Sequence, residues 1–181
     1  ARPDPTGFAT LRGTFKFAAA DAGQFTNRPT LPFPVATPLF VVNEAPQIER
    51  TFVKPTGEVQ NVVVYLGDDL SKMENQEAWV HPSAAPGNEE PVEFDQDNCV
   101  FLTPVLTMQV SQPLIILNSD GVAHNTKPVA SIIPPGGRDT FQHKKESRVP
   151  YPVTCNIHPW MSAYIMARTN GYFAQTNENG E

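Results

Sequence analysis

The sequence predicts an all-β protein, a sandwich or barrel of short strands joined by long, proline-rich loops. Three observations carry that expectation. There are 19 prolines among 181 residues, about twice ordinary usage. They are scattered, as at Pro29, Pro32, Pro34, Pro38, Pro46 and Pro55, and proline is excluded from helix interiors and confined to edges, turns and loops. Runs of β-branched and aromatic residues recur between dense turn signals. No segment of useful length carries the spacing of an amphipathic helix, and there is no internal repeat.

Taken in order, residues 10–17 alternate in polarity and read as a half-buried strand. Residues 18–60 are rich in Pro, Ala, Asn and Thr, with one apolar run at 39–42. Residues 61–66 form a strong strand signal, ended by Gly67 and two aspartates, and 69–78 read as a short helix. Residues 81–97 read as a polar, acidic loop. Strands are expected at 105–110 and 114–117, the second stopped by Asn118, Ser119, Asp120 and Gly121. Residues 125–139 read as a loop carrying Pro134-Pro-Gly-Gly137. Further strands are expected at 140–144, leading into Cys155 from 152, and at 163–167. The organisation expected is a proline-rich extension over 1–60 that adds a strand to the sandwich, a single domain over 61–175, and a tail at 176–181. The start at Ala1 reads as a mature or trimmed terminus, and the end at Glu181 as a cut within a longer protein.

Composition excludes several roles. The chain is long enough to bury a core without staples. Its net charge is −6, with no basic stripe for nucleic acid. The longest apolar runs, such as 113–117, are too short to span a bilayer as a helix. An acidic surface suits a basic protein partner.

The chemistry is concentrated in Cys155-Asn-Ile-His158-Pro-Trp-Met161. A thiolate, an imidazole and a thioether share one loop between two expected strands. Soft sulfur donors with imidazole suit copper cycling between two oxidation states, and two His, one Cys and a weak axial Met define blue-copper electron-transfer centres. The second imidazole must come from His81, His124 or His143. His124 follows the strand at 114–117 and its turn, which places it at a strand end, at the pole where the Cys155 loop also lies. His81 and His143 sit in polar surroundings and read as solvated. Taken singly, Met161 and Met166 would be packing residues, Trp160 an ordinary loop aromatic and His124 a surface residue; the set carries the inference. Cys99 leaves an alternative open, because an even cysteine count in an exported protein usually means a disulfide.

Asn118-Ser-Asp-Gly-Val-Ala-His124-Asn125, followed by Cys155-x-x-His158-Pro-x-Met161, resembles the cupredoxin family. The short Cys-to-Met loop is similar to that of amicyanin. It is also similar to exported bacterial cupredoxin-like proteins often associated with methylamine utilisation, whose Cys-x-x-His-Pro-Trp-Met is followed by a Tyr-Phe-Ala segment, here Gly171-Tyr-Phe-Ala174. The resemblance covers residues 98–175. It implies a Greek-key β-sandwich with an N-terminal extension and one copper ion held by His124, Cys155, His158 and axial Met161. Around them, the Asn125 amide would donate to the cysteine sulfur, Pro159 would remove an amide donor, and Trp160 would form part of an apolar collar around an exposed His158. The protein would be an electron carrier and not an enzyme, exported to the periplasm or cell exterior, with a redox partner such as a c-type cytochrome or a dehydrogenase. Cys99 departs from the family pattern, and a histidine expected near Thr103 and Pro104 is missing. The rival reading is a metal-free exported sandwich, a binding or structural module held by a Cys99–Cys155 disulfide. A third is copper storage or delivery through the same ligands.

Overall fold

A computed structural model describes residues 10–18, 53–67, 72–75, 78–87 and 90–181. The apolar run at 39–42 and much of the expected helix at 69–78 lie outside them.

The described chain is all-β. Its strands are β1 (Val63–Tyr65), β2 (Val92–Phe94), β3 (Gln96–Asp97), β4 (Val100–Phe101), β5 (Val105–Gln109), β6 (Pro113–Leu117), β7 (His124–Thr126), β8 (Ala130–Ile133), β9 (Arg138–Gln142), β10 (Tyr151–Thr154), β11 (Ser162–Arg168) and β12 (Phe173–Gln175). Two three-stranded sheets dominate, ordered β10-β11-β5 and β2-β6-β9. Each mixes one parallel and one antiparallel pairing: β11 runs parallel to β5, and β2 parallel to β6. Non-consecutive strands therefore lie side by side, as the crossing connections of a Greek-key sandwich require. Hairpins β3–β4 and β7–β8 and the pair β1–β12 complete the framework.

Alternation explains which faces meet. In β6, Leu114 and Ile116 point inward and are fully buried, while their neighbours are only partly covered. β11 is flanked on both sides and is buried almost throughout. Phe94, Leu114 and Ile116 from one sheet pack in a single cluster with Met108, Val153, Ala163 and Ile165 from the other. Each such large apolar side chain contributes about 1.5–3 kcal/mol on burial. Arg168, at the end of β11, is only 2% exposed. Its guanidinium donates to the carbonyls of Ser147 (3.1 Å) and Leu66 (2.9 Å), lies 3.6 Å from Glu146 and stacks over Tyr65.

Four sequence expectations are corrected. Residues 10–17 are exposed along their whole length, with a single bridge from Lys16 to Glu58 and backbone hydrogen bonds linking Phe15 and Phe17 to Gly180, Gly57 and Val59. Their alternation has no sheet face to cover among the described residues, and Leu11 remains 90% exposed. The expected loop at 81–97 holds β2 and β3, whose acidic residues face outward and mask the inward Phe94 and Gln96. The expected loop at 125–139 contains the β7–β8 hairpin and the start of β9. His143, expected to be solvated, is buried against Phe141 and Tyr151, with Nε2 2.7 Å from the Tyr151 hydroxyl.

Candidate metal centre

Four segments meet at one place: the loop between β10 and β11, the first residue of β7, the turn between β3 and β4, and the loop after β6. The 155–161 loop closes on itself, the Met161 amide donating to the His158 carbonyl at 2.9 Å and the Cys155 amide to the Met161 carbonyl at 3.4 Å. The Asn125 side chain accepts from the Asn156 amide at 2.8 Å and ties the loop to β7.

This closure turns three donors toward one another. Cys155 Sγ lies 3.9 Å from His124 Nδ1 and 3.8 Å from His158 Nδ1, and the two Nδ1 atoms are 2.7 Å apart. All three residues are buried. The point equidistant from those three atoms is about 2.1 Å from each, the length of a metal–imidazole bond and close to that of a metal–thiolate bond. One thiolate and two imidazoles around a single point are donor types that suit copper or zinc. The residues present fit a metal ion of that kind.

Electrostatics support the same geometry. Burial alone would raise the Cys155 pKa, but hydrogen bonds from His124 and His158 and from the backbone of Asn125 and His158 outweigh it and bring it to about 5. Cys155 is therefore a thiolate at neutral pH, the form that binds metals. Asp120 Oδ2 lies 2.9 Å from His124 Nε2. An ionised carboxylate only accepts, so Nε2 carries a proton, and Nδ1, the atom that faces Cys155 and His158, is the one that would give up its proton to a metal ion. Burial opposes charge on Asp120, yet hydrogen bonds from His124 and the Cys99 and Gly121 amides hold its carboxyl below the usual value. Burial likewise opposes charge on His124, and contacts with Cys155 and Asp120 outweigh it and raise its basicity, as partners behind a ligating histidine commonly do.

Of the residues singled out in the sequence, Cys155, His158 and His124 converge. Met161 is fully buried in the same apolar cluster as Cys99 and Cys155. Trp160 packs against the His158 ring, with centroids 5.3 Å apart, and its Nε1–H donates to the Cys99 carbonyl at 3.0 Å. The collar expectation needs correction: His158 is only 1% exposed, while its chain neighbours Ile157 and Pro159 are exposed. His81 caps the short 3-10 turn Pro82–Ala84 and His143 pairs with Tyr151, so neither joins the cluster. Cys99 and Cys155 are free thiols, in contrast to the disulfide alternative. Cys99 sits beside the two imidazoles, its donor atom within 4.8 Å of each. Burial, and after it the Asp120 carboxylate, push its thiol up to about 12. The role of Asp120 was not read from the sequence; its only signal is the four-residue spacing to His124 inside a motif that otherwise marks a turn.

No protein-family model matches the chain, and no curated protein is significantly similar to it. Among solved structures, similar chains include an oxidised proline-to-glycine mutant of amicyanin (TM-score 0.40, 14% identity, covering 47% of this chain and 90% of that one). Amicyanin from Paracoccus versutus gives a TM-score of 0.39 at 12% identity, covering 60% of this chain and 100% of that one. The Cu(I) form of a methionine-to-alanine amicyanin mutant gives 0.40 at 17% identity, covering 48% and 95%.

Proposed function

We propose that this protein is an exported copper protein that carries single electrons between redox partners, with one ion that Cys155, His124, His158 and Met161 would hold. The observation that supports it is the convergence of one thiolate and two imidazole nitrogens on a single buried point at bonding distance. Copper, when bound, supplies a one-electron couple. The chain supplies the rest. Asp120 fixes the His124 tautomer, and Asn125 fixes the loop that carries Cys155 and His158. Burial of the three donors keeps water out, and a site closed by protein donors leaves no position for a substrate, which favours a carrier over an enzyme. Loops braced by hydrogen bonds resist rearrangement when the charge of the site changes. Trp160 packs against His158, and Ile157 and Pro159 offer a surface beside it for a partner such as a c-type cytochrome or a dehydrogenase. Residues 61–175 form the working domain in this reading, within the periplasm or outside the cell.

Adding Cu(II) to the reduced protein tests the reading. An intense visible thiolate-to-copper band is expected. Cys155→Ser abolishes it, and His81→Ala leaves it unchanged. A colourless wild-type protein with both thiols reduced would sink the proposal.

A further inference from the structure

Cys99 occupies a position that glycine would fill more easily. It is the second residue of the tight turn joining β3 to β4, and both turn residues lie in the left-handed region, Asn98 at φ 51° and Cys99 at φ 55°. Two-residue hairpin turns of this hand favour Asn-Gly, because a side chain at the second position is strained. Such strain is a cue to function when the surroundings hold it in place. Here they do. The Cys99 amide donates to Asp120 Oδ2 at 2.6 Å, and its carbonyl accepts from Trp160 Nε1 at 3.0 Å. Both backbone polar groups of Cys99 are thus tied to the two segments that carry His124 and His158. Its side chain is 3% exposed, and its donor atom lies within 4.8 Å of those of both histidines.

We propose that Cys99 is a second thiolate ligand of the metal centre, so that Cys99, Cys155, His124 and His158 form a two-sulfur, two-nitrogen shell. This rests on the metal-centre reading above and extends it. Such a shell is the donor set of ions that accept tetrahedral geometry and soft or borderline ligands, Cu(I) and Zn(II) foremost. Two donors on one tetrahedral ion stand about 3.5 Å apart, and the Cys99 donor atom lies within 4.8 Å of both imidazole donors, so a side-chain adjustment brings it to the ion. A coordinating thiol is deprotonated outright by the cation, and the proton leaves to solvent on binding. The Asp120 carboxylate links the pair, because it accepts from the Cys99 backbone and from His124 at the same oxygen.

Cobalt(II) gives the test, since its thiolate charge-transfer absorption grows with the number of sulfur ligands. The reduced wild-type protein is titrated with Co(II) alongside Cys99→Gly, Cys99→Ser and Cys155→Ser. Glycine suits the turn, so metal-free Cys99→Gly is expected to melt at or above the wild-type temperature, and Cys99→Ser keeps the experiment informative if it does not. The expected result is a tetrahedral cobalt spectrum whose near-ultraviolet charge transfer falls to about half in each single-cysteine variant. Wild-type intensity in Cys99→Gly and Cys99→Ser, with loss confined to Cys155→Ser, overturns the role of Cys99 and leaves the one-thiolate centre standing. A wild-type protein with no thiolate charge transfer overturns both.

Discussion

The carboxylate of Asp120 accepts at one oxygen from two partners, His124 Nε2 at 2.9 Å and the Cys99 amide at 2.6 Å. That bifurcated contact joins the loop after β6 to the β3–β4 turn and turns His124 Nδ1 toward Cys155. Partners behind a ligating histidine typically change metal affinity by 10–100-fold when lost. Asp120→Ala is therefore expected to weaken copper binding by about that factor. Asp120→Asn, which still offers an oxygen, is expected to lose less. Competition against a chelator of known affinity measures both.

His143 predicts a pH dependence of stability. Burial lowers its pKa below the ordinary value of 6.5, so the unfolded chain takes up a proton that the folded protein resists. The contribution is complete above about pH 6.5 and is lost as the pH falls through the folded value. His124 shifts the opposite way, because its folded pKa is raised, so the two are separated by comparing variants. His143→Gln keeps a partner for the Tyr151 hydroxyl and removes the titration. The wild-type advantage over this variant is expected to shrink between pH 8 and pH 5.5 in urea unfolding of the metal-free protein. A constant gap would mean that the His143 pKa is not depressed.

Arg168 predicts a large loss of stability away from the metal cluster. Its buried guanidinium satisfies the carbonyls of Leu66 and Ser147 and faces Glu146. Truncation leaves those two carbonyls without that donor and removes the counter-charge of Glu146, which keeps its hydrogen bonds from Thr169, at a cost of about 3 kcal/mol. Arg168→Ala is expected to lower the denaturant midpoint accordingly. Arg168→Lys recovers only part, because an ammonium cannot reach both carbonyls with the planar fork of a guanidinium. The Cu(II) band should persist in folded protein of either variant.

Long-range relationships were legible in the sequence only where the local pattern forced them. β5, β6, β10 and β11 are rich in β-branched and apolar residues between strong turn signals, and each was expected to within a few residues. β2, β3, β7 and β8 are two to four residues long, too short for alternation to rise above their polar composition. The half-buried strand expected at 10–17 rested on alternation alone, and alternation says nothing about whether a second surface exists to cover it. The burial of His143 was hidden for the same reason: Lys144 and Lys145 beside it suggest solvent, while the ring is covered by Phe141 and Tyr151.

The all-β class and the donor-bearing loop at 155–161 could be derived from the chain by itself. Turn residues, proline placement and β-branched runs act within a few residues of each other, and a cysteine three residues before a histidine is brought near it by one tight turn. Only the tertiary structure decided that His124, 31 residues from Cys155 in sequence, comes within 3.9 Å of its sulfur, that Asp120 holds it there, and that Cys99 lies beside both histidines as a free thiol. Those contacts are made by the packing of separate strands, whose depth and register follow from the shared core and not from any spacing along the chain.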